Sequence, residues 1–150
     1  MLSKGFFGYA VKALILTALL CGGAQLVMGQ AASDGIWKDT TTGLTWTLKD
    51  NGADVNFGQA QSYCRGLKLG GFSDWRLPTI DELTAIYDRG SKKQYKTKGP
   101  IELSGLVILS GSTNDSGEVW SFYFSYGGKS LASASGHGSA ARALCVHSEK

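Results

Sequence analysis

Histidine and cysteine are scarce in this chain, and each scarcity removes a class of function. Two histidines occur in 150 residues, His137 in a Gly/Ser stretch and His147 near the terminus. Neither sits in an H-x-x-x-H or H-E-x-x-H pattern, so the helical imidazole pair of a zinc hydrolase is missing. No G-x-S-x-G elbow occurs, and no phosphate-cradling glycine loop follows a strand. The chain also lacks an excess of one charge. Its 15 Lys+Arg stand against 12 Asp+Glu, and Lys4 and Lys12 lie in the N-terminal leader described next. The remainder is close to neutral, which gives no electrostatic footprint for nucleic acid.

Long apolar runs are lacking too. The longest, Ala13 to Cys21 in "ALILTALLCGG", is short of the about 20 apolar residues that span a bilayer. With Lys4 and Lys12 before it and small residues after it, it reads as a secretory signal. Cleavage is expected after Ala31, with Gly29 at −3, or after Gly29, with Val27 at −3. Residues 1–31 are then the signal and residues 32–150 a single domain, with no membrane span after cleavage. A lipoprotein signal ending at Cys21, which Leu20 fits poorly, and an uncleaved anchor are the minor alternatives. The expected location is the periplasm or the cell exterior.

Of the three cysteines, the mature chain keeps Cys64 and Cys145. Two cysteines in an exported domain most simply form one disulfide. Two free thiols are the alternative. A bridge across 81 positions would stabilise the fold by about 4–5 kcal/mol in the chain-entropy model. It would also leave no thiolate for redox or nucleophilic chemistry.

"IWKDTTTGLTWT", residues 36–47, alternates around Gly43 and predicts a β-hairpin. Residues 56–71 predict a first helix. Asn56 and Gln59 form its capping-box-like start, Phe57, Ala60, Cys64 and Leu67 its buried face, and Gly70-Gly71 its end. Thr79 and Glu82 form a T-x-x-E capping box for a second helix, with Pro78 just before the cap and an end expected near Asp88 to Gly90. From residue 101, the runs "LVIL", "EVWSFYFSY", "KSLASAS" and "RALCVH" predict three or four strands. Their turns fall at Gly111 to Gly117, Gly127-Gly128 and Gly136 to Gly138. Helices first and strands second indicate α+β. The bridge would clamp the last strand, carrying Cys145, onto the first helix.

Four blocks then come in a familiar order. They are "DTTTGLTW" at 39–46, A-x-x-Y-C-x-x-L at 60–67, "GGFSDWRLPT" with Glu82-Leu83 at 70–83, and "RALCV" at 142–146. In this the chain resembles the bacterial family named for the C-terminal domain of the collagen-like adhesin Lcl, a domain of unknown function. The resemblance implies a C-type-lectin-like fold akin to formylglycine-generating enzymes, with two helices packed on a small twisted antiparallel sheet and a helix-to-last-strand disulfide. Two segments depart from the family pattern. "LVILSGST" lacks an aromatic pair, and His147 stands where an arginine is usual.

The candidate sites follow. Trp75, Arg76, Pro78, Thr79 and Glu82 read as a structural corner. Pro78 fixes φ, and Arg76 is suited to forked bonds with a carboxylate such as Asp74 or Glu82. Arg89, Lys92, Lys93, Lys96 and Lys98 form a basic loop with Tyr95 inside it and no acid between Arg89 and Pro100. It is the candidate polyanion site, and the related adhesin domain implies an acidic or sulfated polysaccharide. The competing reading is a solvated loop. Asn114, Asp115 and Glu118 could gather oxygens around calcium, but the same residues more simply make a turn. Trp120, Phe122 and Phe124 are expected to face the core, with Ser121, Tyr123 and Ser125 on the other face near Tyr126. The expectation is an exported, non-catalytic binding module with no cofactor or metal. Its partner is an acidic glycan or an envelope protein. The alternatives are a structural subunit of an envelope assembly and an enzyme on the formylglycine-generating scaffold.

Overall fold

The computed structural model describes residues 35–135 and 140–149. The expected signal, Cys21 and His137 lie outside the described residues. Strands β1 (Ile36–Asp39) and β2 (Leu44–Thr47) form the N-terminal hairpin. Gly43 turns it at φ +74°, a conformation that suits glycine. Asp39 locks the turn by accepting from the Thr41 N–H and the Thr42 hydroxyl, both at 2.9 Å. Helix α1 runs Phe57–Gly66 and α2 runs Ile80–Ala85. Both start on reciprocal capping boxes, Asn56 with Gln59 and Thr79 with Glu82.

Strands β3 (Val107–Thr113), β4 (Val119–Tyr123), β5 (Gly128–Ala132), β6 (Ala141–Arg142) and β7 (Val146–Ser148) follow. They divide between two sheets. One has the order β1-β2-β7 and the other β5-β4-β3-β6. All pairings are antiparallel except β3 with β6, which is parallel. The class is α+β.

At its centre, in β3 and β4, the larger sheet is buried on both faces. Ile108 and Phe122 join Trp46, Leu83, Ile86, Phe124 and Val146 in one apolar cluster, shared with α2 and the smaller sheet. Leu109 points the other way and joins Ala60, Cys64, Trp75 and Cys145 under α1. The period-2 alternation of a strand sends neighbours to opposite faces. Cys64 and Cys145 are bridged, with both side chains fully buried.

Several expectations are corrected. The first helix ends at Gly66, because Leu67 takes an extended conformation and packs with Leu69 against the second cluster. Gly70 and Gly71, both at positive φ, instead turn a tight link in which Leu69 and Phe72 exchange hydrogen bonds. This is the mirror-image turn that glycine favours. The second helix stops at Ala85, and Tyr87 pairs with Thr97 of the next loop. Gly111 lies within β3, and the turn is confined to Asn114–Gly117.

"RALCVH" is not one strand. It passes from β6 to β7, and so from one sheet to the other, and Cys145 sits just before β7. The passage is stitched by Thr47 N–H to the Cys145 carbonyl at 3.0 Å and by the Ala143 N–H to Asn51 Oδ1 at 2.7 Å. In β4, Trp120 is only half-buried while Ser121 is 1% exposed. Both faces of that strand are covered, so strict alternation of apolar-in and polar-out fails there.

Candidate functional site

The corner at residues 74–82 is built on Arg76. Its backbone exchanges two 2.9 Å hydrogen bonds with Val146. Its guanidinium forks onto Glu82, donating from Nη1 to Oε2 at 2.8 Å and from Nη2 to Oε1 at 2.7 Å. Nη2 also donates to Ser148 Oγ at 2.7 Å and Nη1 to the Leu77 carbonyl at 3.2 Å. Glu82 meanwhile accepts from the Thr79 N–H at 2.7 Å. Burial pushes the Glu82 carboxyl up, but the Arg76 fork and the Thr79 N–H outweigh it and hold it below its ordinary value. The same hydrogen bond raises the Arg76 guanidinium. Trp75, 2% exposed, and buried Pro78 close the corner. One arginine thus joins the start of α2 to the end of β7.

His147 lies beside this corner and is 6% exposed. Its ring stacks on Phe72 with centroids 4.1 Å apart. Nδ1 stands 2.7 Å from Asp74 Oδ1 without hydrogen-bond alignment. The contact becomes an ion pair only when the ring is protonated.

The basic loop does not act as one surface. Lys93 turns inward and donates to Gly99 O at 2.6 Å, Ile101 O at 2.7 Å and Thr97 Oγ1 at 3.3 Å. These three oxygens satisfy all three ammonium hydrogens. Arg89, Lys92 and Lys98 are exposed and Lys96 is half-buried. The loop is fastened by its backbone, Lys98 N–H to Ile86 O and Lys96 N–H to Phe124 O, both at 2.8 Å. The second bond sets Lys96 beside the chain leading out of β4.

That chain carries the other half of the site. Tyr126 is 65% exposed and stacks on Tyr123, with centroids 5.4 Å apart and planes at 28°. The Tyr126 ring covers Gly128 where a Cβ would stand. Gly127, at φ +81°, lets the Tyr87 ring approach within 2.8 Å of its own Cβ position. A shallow recess of about 250 Å³ lies along the loop, lined by Lys93, Gln94, Tyr95, Glu102 and Leu103. The arrangement is an exposed tyrosine, Tyr126, stacked on half-buried Tyr123, beside the backbone of a fastened loop that carries exposed cations. It can stack against an apolar ring face and attract an anionic group.

At Asn114–Gly117 two of the candidate oxygens, Asn114 Oδ1 and Glu118 Oε2, already accept hydrogen bonds within the turn. Asn114 Oδ1 accepts from the Ser116 and Glu118 N–H groups, and Asn114 Nδ2 donates to Glu118 Oε2 at 2.7 Å. Among the described residues, no group of three or more His, Cys, Asp or Glu is placed to hold a metal ion. No helix among them is long and apolar enough to cross a membrane.

Sequence reasoning missed two polar anchors, one half-buried and one buried. One is Lys93. The other is Asp50, whose carboxylate accepts from the Ser104 N–H and hydroxyl, both at 2.6 Å, and from the Gly52 and Gly105 N–H groups. Only the Asp50–Gly52 bond is local, and it alone was open to a reading of turn residues.

The family model of the Lcl C-terminal domain matches residues 35–147. A search of curated proteins finds no match.

Proposed function

The chain belongs to the Lcl C-terminal domain family, and on that premise we propose that it is an exported, non-catalytic module binding acidic or sulfated glycan. The ligand lies where the 88–98 loop meets the Tyr123–Tyr126 turn. The observation that supports this reading is the Lys96–Phe124 backbone bond, which fastens the basic loop next to the turn where exposed Tyr126 stacks on Tyr123. Tyrosine offers an apolar face with a polar edge at little entropic cost. The exposed cations Arg89, Lys92 and Lys98 attract anionic substituents over a range set by salt, about 8 Å at physiological ionic strength. Commitment of Cys64 and Cys145 to a buried bridge supports a binding role over a thiol-based one.

The test is heparin-column chromatography of the mature protein beside a variant in which Arg89, Lys92 and Lys98 are alanine and a second variant, Tyr126→Ala. Lower elution salt for both supports the proposal. Unchanged elution salt for the triple variant removes it.

A further inference from the structure

A second, smaller recess lies at the other end of β3. It has a volume of about 110 Å³ and is lined by Gln61, Arg65, Arg76, Leu77 and Gly111. Pockets for whole small molecules run from about 300 Å³ upward, so this one suits a single functional group. Gln61 and Arg65 are four residues apart on α1, which puts them on one side of the helix. Ala60 and Cys64, next to them in sequence, are the buried residues of α1. Gln61 and Arg65 therefore flank the buried stripe and lean over the corner.

The charges here are unequal. Arg76 spends its four Nη hydrogens on Glu82, Ser148 and the Leu77 carbonyl, and its charge is matched by Glu82. Its Nε–H has no partner among the described residues. Arg65 makes no ion pair among the described residues. The recess is thus lined by an exposed arginine without an ion pair among the described residues, Arg65, beside a guanidinium that the corner holds in place. Gly111 contributes no side chain, and its N–H is fixed to the Pro78 carbonyl at 2.7 Å. A Cβ placed on Gly111 would stand 3.5 Å from Leu77 in ordinary contact, so glycine is not required there for lack of room. What its absent side chain provides is the opening.

We propose that this recess binds one oxyanion group, a carboxylate or a sulfate, with Arg65 and Gln61 as the donors and Arg76 as a fixed wall. Arginine suits such groups because its planar fork matches their paired oxygens. The site is separate from the loop-and-tyrosine surface. Tyr123 pairs with Val107 at the start of β3, and Gly111 lies four residues further on, about 13 Å along a strand.

The experiment is an NMR titration of the oxidised mature protein with sodium sulfate and, separately, sodium acetate. Ionic strength is held constant with sodium chloride, and the backbone amides of Gln61, Arg65 and Gly111 are followed. Saturable shifts at these amides are expected. Arg65→Ala should weaken the saturation about tenfold or more, as loss of a charge-assisted bond does. Gly111→Val should abolish it with Arg65 still present, since it fills the opening without removing charge. Lys92→Ala with Lys98→Ala should leave it unchanged. A parallel titration with dextran sulfate identifies the source. The same shifts with polymer assign the site to a polymer-borne substituent, and shifts with free ions alone assign it to a small acid. Non-saturating shifts, or saturation that survives both Arg65→Ala and Gly111→Val, would overturn the proposal. Failure at the basic loop leaves these amide shifts untouched, so the two ideas fail separately.

Discussion

The ammonium of Lys93 sits 2.7 Å from the carbonyl oxygen of Ile101, inside the loop on which Arg89, Lys92 and Lys98 are exposed. A residue that reads in sequence as one member of a basic cluster is a staple closing residues 93–101. Lys93→Ala leaves the Gly99 and Ile101 carbonyls without their cation. It should destabilise the domain by about 1–3 kcal/mol, measured as a lower urea midpoint. Lys92→Ala, one position away and exposed, should change the midpoint by less than about 0.5 kcal/mol. Equal effects of the two would remove the staple. An alanine scan that groups these lysines would therefore mistake unfolding for loss of binding.

The Arg76–Glu82 fork makes a pH prediction with a definite sign. Glu82 is held below its ordinary value in the folded chain. A carboxyl with a depressed folded value contributes stability that is fully present above the unfolded value, about 4.3, and is lost as pH falls through the folded one. Thermal midpoints should be nearly flat from pH 7 to about 5.5 and fall below about 4.5. Glu82→Gln should lower the midpoint at pH 7 and flatten part of that acid slope. A slope as steep in Glu82→Gln as in the parent would show that other carboxylates carry the acid transition.

These two cases also show what a sequence can disclose. Asn56 with Gln59 and Thr79 with Glu82 were readable because a capping box is complete within four residues. The Cys64–Cys145 bridge was readable because the expected mature chain held only two thiols to pair. The lengths of the helices were not readable. Their ends are set by where Leu67 and Tyr87 pack, against residues distant in sequence. The division into two sheets was hidden for the same reason, since residues 141–148 pair with β3 and then with β2. At the candidate site, the cations and tyrosines could each be named from sequence. The Lys96–Phe124 backbone bond that ties the basic loop to the chain carrying the tyrosines is a tertiary contact that no spacing rule contains.

Gly127 tests the tyrosine turn separately from its ligand. Its φ is +81°, and a Cβ there would meet the Tyr87 ring at 2.8 Å. Gly127→Ala combines backbone strain of about 1 kcal/mol with displacement of a ring that packs against Phe122 and Phe124. The thermal midpoint should fall by several degrees. Tyr126→Ala, by contrast, removes a ring that is 65% exposed and should leave the midpoint almost unmoved. A large loss of stability in Tyr126→Ala would make the stack a structural element and weaken its assignment to a ligand.

The bridge supplies the last prediction, because it joins α1 to the passage between the two sheets. Cys64 and Cys145 are joined in the bridge, so neither has a thiol to be alkylated while the protein is unreduced. Replacing both by alanine removes a covalent closure of 81 positions and costs about 4 kcal/mol in the chain-entropy model. For a domain whose whole stability is about 5–15 kcal/mol, that is a large share. The double variant should therefore unfold at a much lower denaturant concentration, with a steeper slope because its unfolded chain exposes more surface. The smaller sheet should suffer with it, since Thr47 of β2 bonds to the Cys145 carbonyl. Amide exchange in the double variant should rise first along β2 and β7. Uniform acceleration across both sheets would mean that the bridge acts on the unfolded chain alone and does not hold this passage in place.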